Sequence, residues 1–171
     1  ANNFIANNDS ILSRNILVSR LDHQLRENHR LTARYYLNDA SIENLGTFGI
    51  PAADPNANRN DVRVQSVLAG YTSIFRPTLV NDLKVTFFQR KFIDQRFGWD
   101  QDLAGAIGLQ GVSKTAFPNF AIPGYVALSA PPGRIQTPIR DTQVLEALSW
   151  FHGGHSLKFG FEYRRAGNSE V

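Results

Sequence analysis

The amino-acid sequence predicts an all-β fold, an antiparallel meander of about six strands that forms an open, curved segment of a transmembrane β-barrel. Three observations lead to this prediction. Large apolar and charged side chains alternate with a period of two, which is the pattern of a strand with one oily and one wet face. Short and long connections alternate along the chain, as they do in outer-membrane barrels. No apolar run approaches the roughly 18–20 residues of a transmembrane helix.

The first predicted hairpin covers residues 15–38. Residues 1–13, which precede it, are polar with scattered apolar residues and are expected to be the tail of a loop. Strands are expected over residues 15–25 and 30–38, joined by a short turn (RENH). The second strand alternates cleanly, and its apolar face holds Leu31, Ala33, Tyr35 and Leu37.

The second predicted hairpin covers residues 62–92 and follows a long loop at 39–61 that is rich in Asn, Asp, Ala, Gly and Pro. Its first strand, 62–75, alternates weakly, so its faces stay unassigned. Its second strand, 79–92, comes after a turn in which Pro77 presets the backbone angle φ. This strand has two distinct faces, one with Leu83, Val85 and Phe87 and the other with Lys84, Thr86 and Arg90.

The third predicted hairpin covers residues 139–165 and follows a second long loop at 93–138. That loop contains the segment QDLAGAIGLQG, which is compatible with a short helix, and a stretch rich in Pro, Gly and aromatic residues. Gly153 and Gly154 supply the backbone freedom that a tight hairpin turn needs. The last strand alternates strictly, with Leu157, Phe159, Phe161 and Tyr163 on one face and Lys158, Gly160, Glu162 and Arg164 on the other.

The order of connections predicts how the sheet lies in a membrane. In outer-membrane barrels periplasmic turns are short and extracellular loops are long, so loops 39–61 and 93–138 are expected outside the cell. The predicted strands are long enough for the roughly 9–11 residues that cross a bilayer at a tilt. Aromatic residues beside short turns fit a periplasmic aromatic girdle, namely Phe75, Trp150 and Phe151.

Composition narrows the function classes. The net charge of +3 arises from 18 Lys+Arg against 15 Asp+Glu, a balance that gives no indication of nucleic-acid binding. No cysteine is present, which excludes disulfides and thiolate metal sites. The sequence contains no methionine and no signal-peptide pattern, begins in an Asn-rich stretch and stops just after a strand. We therefore expect it to be an internal piece of a longer protein.

Three segments, LSWFHGGHSLKFGFEYRR, RLDHQLRENHRLTARYYLND and RPTLVNDLKVTFFQRKF, resemble the barrel of TonB-dependent outer-membrane transporters, and most of all the Oar-like group. The resemblance runs from about Arg14 to Arg165. Glu146 stands where Asp is more usual, and Gly154 stands where Lys is commoner. The most specific pattern is carried by Glu146, Leu148, Trp150, Gly153, His155, Lys158, Gly160, Glu162 and Arg164.

This resemblance implies a large closed barrel of about 22 strands, filled by a plug. Members of the group carry an N-terminal carboxypeptidase-regulatory-like domain; this sequence holds neither that domain, nor the plug, nor a TonB box. The expected location is the outer membrane of a Gram-negative-type bacterium. The expected partners are membrane lipid, the plug and remaining strands, the TonB complex and an unknown small solute. The implied function is active uptake of a scarce carbohydrate, peptide or metal chelate.

The alternating faces supply candidate contact residues. The side chains predicted to face lipid are Leu31, Tyr35, Leu83, Val85, Phe87, Leu157, Phe159, Phe161 and Tyr163. The side chains predicted to face the barrel lumen are Arg20, Asp22, Arg34, Lys84, Arg90, Lys158, Glu162 and Arg164. The lumen set either forms cross-strand ion pairs and plug contacts or lines the path of a ligand. We consider the first role the more common one.

The long loops hold the candidate ligand residues, Phe97, Trp99, Phe117, Phe120 and Tyr125. These aromatics either form a surface for a sugar, peptide or chelate or pack the loop against its neighbours and the barrel rim.

Metal and catalytic sites are weakly indicated. His152 and His155 flank the glycine turn but lack a third zinc ligand nearby. Asp54, Asn56, Asn58 and Asp61 suggest a calcium loop, yet an EF-hand is excluded because Arg59 and Gln65 occupy the positions of its glycine and glutamate; a looser calcium site stays open. No catalytic motif is present, so we expect neither an enzyme nor a cofactor.

Two alternatives to uptake stay open. One is an outer-membrane barrel that serves adhesion or export. The other is a soluble β-sheet binding module, which predicts a second sheet over the face of Leu157, Phe159, Phe161 and Tyr163.

Overall fold

A computed structural model describes residue 7, residues 9–129 and residues 133–168. Within the loops expected at 1–13 and 93–138, residues 1–6, 8 and 130–132 lie outside this description. The predicted six-stranded antiparallel meander is confirmed, since each strand pairs with its neighbours in chain order. The strands are β1 (Ser10–Arg26), β2 (His29–Asn44), β3 (Asn58–Arg76), β4 (Leu79–Arg96), β5 (Arg134–His152) and β6 (His155–Asn168).

Helical structure is confined to the two long loops. A single 3-10 turn covers Pro51–Ala53 between β2 and β3, and helix α1 (Leu103–Ala106) lies inside the segment QDLAGAIGLQG. The Asp102 side chain caps α1 by accepting a hydrogen bond of 2.8 Å from the Gly105 amide. No helix in the described part of the chain is both long and apolar enough to cross a membrane.

The strands run further toward the long loops than the alternation indicated. β2 ends at Asn44 rather than near residue 38, and β3 begins at Asn58 rather than near residue 62. The added residues are rich in Asn, Asp and Arg, which favour strands poorly on their own. Their backbones nevertheless continue the ladder, with Asn44 paired to Asn58 and Asn58 paired to Arg96. The loops that join the strands are therefore 45–57 and 97–133.

The three short turns lie side by side at one end of the sheet. Each leaves two residues between the strands, and at the last of them Gly153 adopts a φ of +56°, which favours glycine. Backbone hydrogen bonds join neighbouring turns: the Ile74 amide donates to the Asn28 carbonyl at 2.9 Å, and the Phe151 amide donates to the Thr78 carbonyl at 2.8 Å. Both long loops therefore leave from the opposite end.

The pairing register assigns every strand residue to one of two faces. A cavity of about 500 Å³ touches residues from all six strands, every one on the same side, so we name that side the concave face and the other the convex face. Even-numbered residues lie on the concave face in β1–β4 and β6, whereas odd-numbered residues do so in β5, because the β4–β5 and β5–β6 registers pair odd with even positions.

The polarity of both faces reverses about halfway along the strands. On the convex face of β3, Val67 and Tyr71 lie toward the short turns, whereas Asp61 and Arg63 lie toward the loops. The concave face shows the opposite order, with Val62 and Val64 on the loop side. The weak alternation of β3 follows from this reversal, because no single face of the strand is apolar throughout.

Candidate functional site

The turn-side half of the convex face is an apolar band. The register places all nine side chains predicted to face lipid on this face. Phe159, Phe161 and Tyr163 are 58%, 63% and 53% exposed, and nothing in the described part of the chain covers them. On β4 the band runs from Leu79 to Phe87, about 27 Å along the strand at about 3.4 Å per residue. At a tilt of about 40° that length spans about 20 Å, close to the apolar height of a membrane barrel.

Polar side chains inside this band satisfy one another. The Asn81 amide donates a hydrogen bond to the Glu146 carboxylate, and the Tyr71 hydroxyl lies 2.7 Å from His29 Nδ1, with the two rings stacked. Sequence reasoning noted Glu146 only as part of a motif and missed the other three. Pairing of this kind removes the cost of placing a lone polar group against hydrocarbon.

The turn-side half of the concave face is charged. All eight residues predicted to face the lumen lie on the concave face. Asp22 is the centre of one network, because its carboxylate accepts hydrogen bonds from Arg20 Nε at 2.6 Å, Arg30 Nη2 at 2.9 Å and the Thr32 hydroxyl at 2.7 Å. The sequence did not single out Arg30 and Thr32; only the β1–β2 register brings them beside Asp22.

Further side-chain contacts lie on β4–β6, one within β4 and two across the β5–β6 pair. Lys84 Nζ donates to Asp82 at 2.5 Å, Arg164 Nε donates to Asp141 at 2.7 Å, and Gln143 Nε2 donates to Glu162 at 2.6 Å. Exposed ion pairs of this type contribute little stability singly, but they fix the register of neighbouring strands. Arg34 has no hydrogen bond or ion pair with any residue that the structure describes.

The loop-side half of the concave face contains an apolar wall, and Arg90 lies within it. Arg90 lies over the Phe92 ring at 5.4 Å from its centroid, close enough for a cation–π contact. Val62 and Val64 lie across the β3–β4 ladder from Phe92 and Arg90, and Ile139 pairs with Arg90 on β5. Arg90 therefore belongs to an apolar wall below the loops rather than to the charged network.

The two long loops pack into a single lobe, which we call the loop lobe. Small side chains form its interior, with Ala57 and Ala104 almost wholly buried. The Ser129 amide donates to the Ala53 carbonyl at 2.5 Å, and Arg96 Nη1 donates to the Pro55 carbonyl at 3.0 Å. The mouth of this end of the sheet is therefore built by both loops together.

Asp54 is the buried charge of the loop lobe, with only 2% of its surface exposed. Its carboxylate accepts hydrogen bonds from the amides of Thr47, Phe48 (2.8 Å) and Asn56 (2.7 Å) and from the Thr47 hydroxyl (3.2 Å). Burial raises the pKa of this carboxyl, but these donors outweigh burial, so the net pKa lies below its ordinary value. A Cβ at Gly46, where φ is +73°, would overlap the carboxylate.

We expect Asp54→Asn to loosen the loop lobe. The side-chain amide of the new asparagine would place an N–H group against backbone N–H donors. The free energy of local opening should therefore fall by about 1.5–3 kcal/mol. Because the folded-state pKa is depressed, the stabilisation is present above the ordinary pKa of about 3.9 and is lost as pH falls through the lower folded value. Hydrogen exchange of residues 45–57 in the detergent-folded full-length protein measures both effects. Asp39→Asn, at an exposed carboxylate, is the control, and equal exchange in the two variants would contradict the assignment.

The loop lobe brings only two of the five candidate aromatics together. Phe117 and Phe120 meet edge to face with centroids 6.0 Å apart, at the base of a small hairpin closed by the Phe120–Leu128 bridge. Tyr125 lies at the tip of that hairpin and is 80% exposed. Phe97 and Trp99 are half-buried near the end of β4 and make no ring contact with the other three.

The structure does not assemble the metal sites considered from the sequence. His152 and His155 pair directly across the glycine turn, but no cluster of three or more His, Cys, Asp or Glu residues capable of holding a metal occurs among the described residues. Both carboxylate oxygens of Asp54 already accept hydrogen bonds from backbone amides. Asn58 lies on the concave face and Asp61 on the convex face, so the four oxygen ligands of the suggested calcium loop do not converge.

The comparisons with known proteins agree with this geometry. The family model described as "Outer membrane beta barrel domain" matches residues 1–171. A search of curated proteins finds no match, and a search of solved structures finds none either.

Proposed function

From the premise that this chain belongs to the outer membrane β-barrel domain family and lies in the cell outer membrane, we propose that it is a wall segment of a TonB-dependent transporter for active uptake of a scarce solute. The solute class is a carbohydrate, peptide or metal chelate. In this proposal the convex face meets lipid, the concave face lines the lumen and the loop lobe forms part of the outer mouth. The chain binds and conducts; it has no catalytic role.

Family membership confirms the predicted outer-membrane location and the predicted contact with membrane lipid. The soluble β-sheet module is wrong, because it requires a second sheet over the convex face. The side chains of that face are bare in the described structure, with Phe161 63% exposed.

The observation that carries the proposal is the charged concave cavity. Its lining includes four cations, Arg20, Arg30, Lys84 and Lys158, and the carboxylate of Asp82. Asp22 offsets part of this charge, because it pairs with Arg20 and Arg30. In the large barrel that the resemblance implies, wall side chains alone would not fill the lumen, so a plug would meet this surface. The remaining excess of cations would suit an acidic surface inside the lumen, such as one on a plug domain. The sequence motifs around Trp150 and His155 support the same family.

The apolar wall on the loop side of the concave face supports solute binding. Phe88, Phe92 and Ile139 would face a solute that has passed the loop lobe, and Arg90 adds a charge among them. Aromatic and apolar surfaces with a few placed polar groups are typical of ligand sites.

Uptake by the full-length protein tests the proposal. Cells that express it receive a radiolabelled maltooligosaccharide, an oligopeptide or a ferric chelate, with and without a protonophore. We expect one probe to accumulate and the protonophore to abolish its accumulation. Arg34→Glu on the concave face should lower uptake, whereas the matched variant Arg63→Glu on the convex face should not. If the probe accumulates equally with and without the protonophore, the protein is a passive pore and the proposal is contradicted.

A second candidate function, adhesion, rests on the tip of the loop-lobe hairpin. Ile122, Tyr125 and Val126 are 57%, 80% and 69% exposed, and together they form an apolar knob on the Pro123-Gly124 turn. If Tyr125→Ser abolishes attachment of cells to a surface and no probe accumulates in the wild type, adhesion replaces uptake.

A further inference from the structure

Unpaired cations collect on the convex face of β4, β5 and β6 toward the loops. They are Lys91, Arg134, Arg140 and Arg165, all exposed and all without an ion pair or hydrogen bond to a described residue. On the same face, the arginines of β3 are paired: Arg59 with Glu43 at 3.3 Å and Asp61 at 3.1 Å, and Arg63 with Asp39 at 4.0 Å. The unpaired group therefore carries a net positive charge that the sheet does not neutralise.

Two of these cations flank a notch. Arg140 pairs with Gly167 across β5–β6, and Arg165 pairs with Thr142 one step nearer the turns, so the two guanidinium groups lie on a diagonal. Gly167 has no side chain and an added Cβ would meet nothing within 4 Å, which leaves the space open. The resulting cavity of about 430 Å³ is lined by Phe87, Pro138, Arg140, Thr142, Arg165, Gly167 and Asn168.

The notch lies at the loop-side boundary of the apolar band. Phe87 on β4, Val144 on β5 and Tyr163 on β6 end the apolar band that starts at the short turns. The next convex residue of β6 toward the loops is Arg165, and Arg140 follows Thr142 on β5. A cation at this level lies where lipid headgroups begin, with the acyl region directly below it.

The nearest acidic residue on the convex face of these three strands is Glu146. It lies six residues from Arg140 along β5, about 20 Å at about 3.4 Å per residue. Among the described residues, an anion in the notch would therefore meet two guanidinium groups and no opposing carboxylate.

We propose that this notch binds the phosphate group of an anionic lipid in the leaflet on the loop side of the membrane. Guanidinium groups match phosphate oxygens with paired hydrogen bonds, and two of them on a diagonal hold a phosphate from both sides. Thr142, on the same face, adds a neutral donor. The apolar surface from Phe87 to Leu79 runs downward from the notch and accommodates the acyl chains, which favours a lipid over free phosphate.

Lipid titration of the full-length protein tests this assignment. The protein is purified in a non-ionic detergent and titrated with lipid A, with lipid A stripped of its phosphates, and with inorganic phosphate; native mass spectrometry counts the bound molecules. Arg140→Ala/Arg165→Ala should weaken lipid A binding about 30-fold, since each cation near a lipid surface contributes about fivefold. Gly167→Leu, which fills the notch and keeps both charges, should also weaken it.

Arg59→Ala/Arg63→Ala is the matched control, because it removes two arginines from the same face that already have carboxylate partners. We expect it to change lipid A affinity less than about twofold. Heat-dependent mobility in SDS gels verifies that each variant is folded. The assignment is overturned if the two double variants lose equal affinity, if stripped lipid A binds as well as lipid A, or if inorganic phosphate displaces lipid A. This test does not depend on uptake, so the two proposals can fail separately.

Discussion

Replacing Val85 with arginine should destabilise the full-length protein in a bilayer by about 2–4 kcal/mol. Val85 lies on the convex face in a row of apolar neighbours, with Ala69 on β3 and Val144 on β5 beside it. No carboxylate lies in that row to receive the new charge, so the guanidinium would have to be dehydrated or pull water into the bilayer. Urea titration of the folded protein in phospholipid vesicles measures the loss.

Thr86→Arg provides a matched control for Val85→Arg. Thr86 is the adjacent residue of β4, but it lies on the concave face between Leu68 and Gln143. The same new charge there would face the lumen and should change the unfolding free energy by less than about 1 kcal/mol. Equal losses at the two positions would mean that the two faces have been assigned to the wrong environments.

The isolated 171-residue chain should aggregate in buffer and become monodisperse in detergent. Its convex face leaves Leu157, Phe159 and Phe161 between 45% and 63% exposed, and β1 and β6 each present an unpaired edge. Exposed apolar area and free edges both promote association in water. Analytical ultracentrifugation with and without a non-ionic detergent measures the outcome.

A triple variant separates the apolar face from the free edges as the cause. Phe159→Ser/Phe161→Ser/Tyr163→Ser removes much of the exposed aromatic surface but leaves both edges. We expect it to aggregate more slowly in buffer than the wild-type chain. A wild-type chain that is monodisperse and unfolds cooperatively without detergent would contradict the prediction.

The alternating sequence was sufficient to locate all six strands and to group the side chains of four of them by face. The side chains of β3 could not be assigned to an apolar and a polar face from the sequence. The polarity of each face reverses between Gln65 and Val67, so neither face is apolar over the whole strand. The ends of the strands were missed for a different reason. Asn44 and Asn58 have little strand preference, and pairing with residues of the neighbouring strands holds them in the sheet.

The loop site was less predictable than the sheet. Asp54 was considered as a calcium ligand because its side chain is an oxygen donor among other oxygen donors. Its actual partners are the backbone amides of Thr47, Phe48 and Asn56. Almost every residue has a backbone amide, so residue types in the sequence do not reveal such a partner. The notch beside Arg140 was missed as well, since Gly167 and Arg165 meet it only through the β5–β6 register.

The reversal of polarity also indicates how far the loop end of the sheet stands above the membrane. Beyond Phe87, β4 continues for nine residues to Arg96, about 30 Å along the strand and about 23 Å above the bilayer at a tilt of about 40°. The sheet therefore extends beyond the membrane as hydrogen-bonded strands, with a polar convex face and an apolar concave face. The loop lobe lies at the end of this extension. Changes of loop sequence can then alter the surface of the loop lobe without altering the width of the sheet below it, because hydrogen-bonded strands set that width.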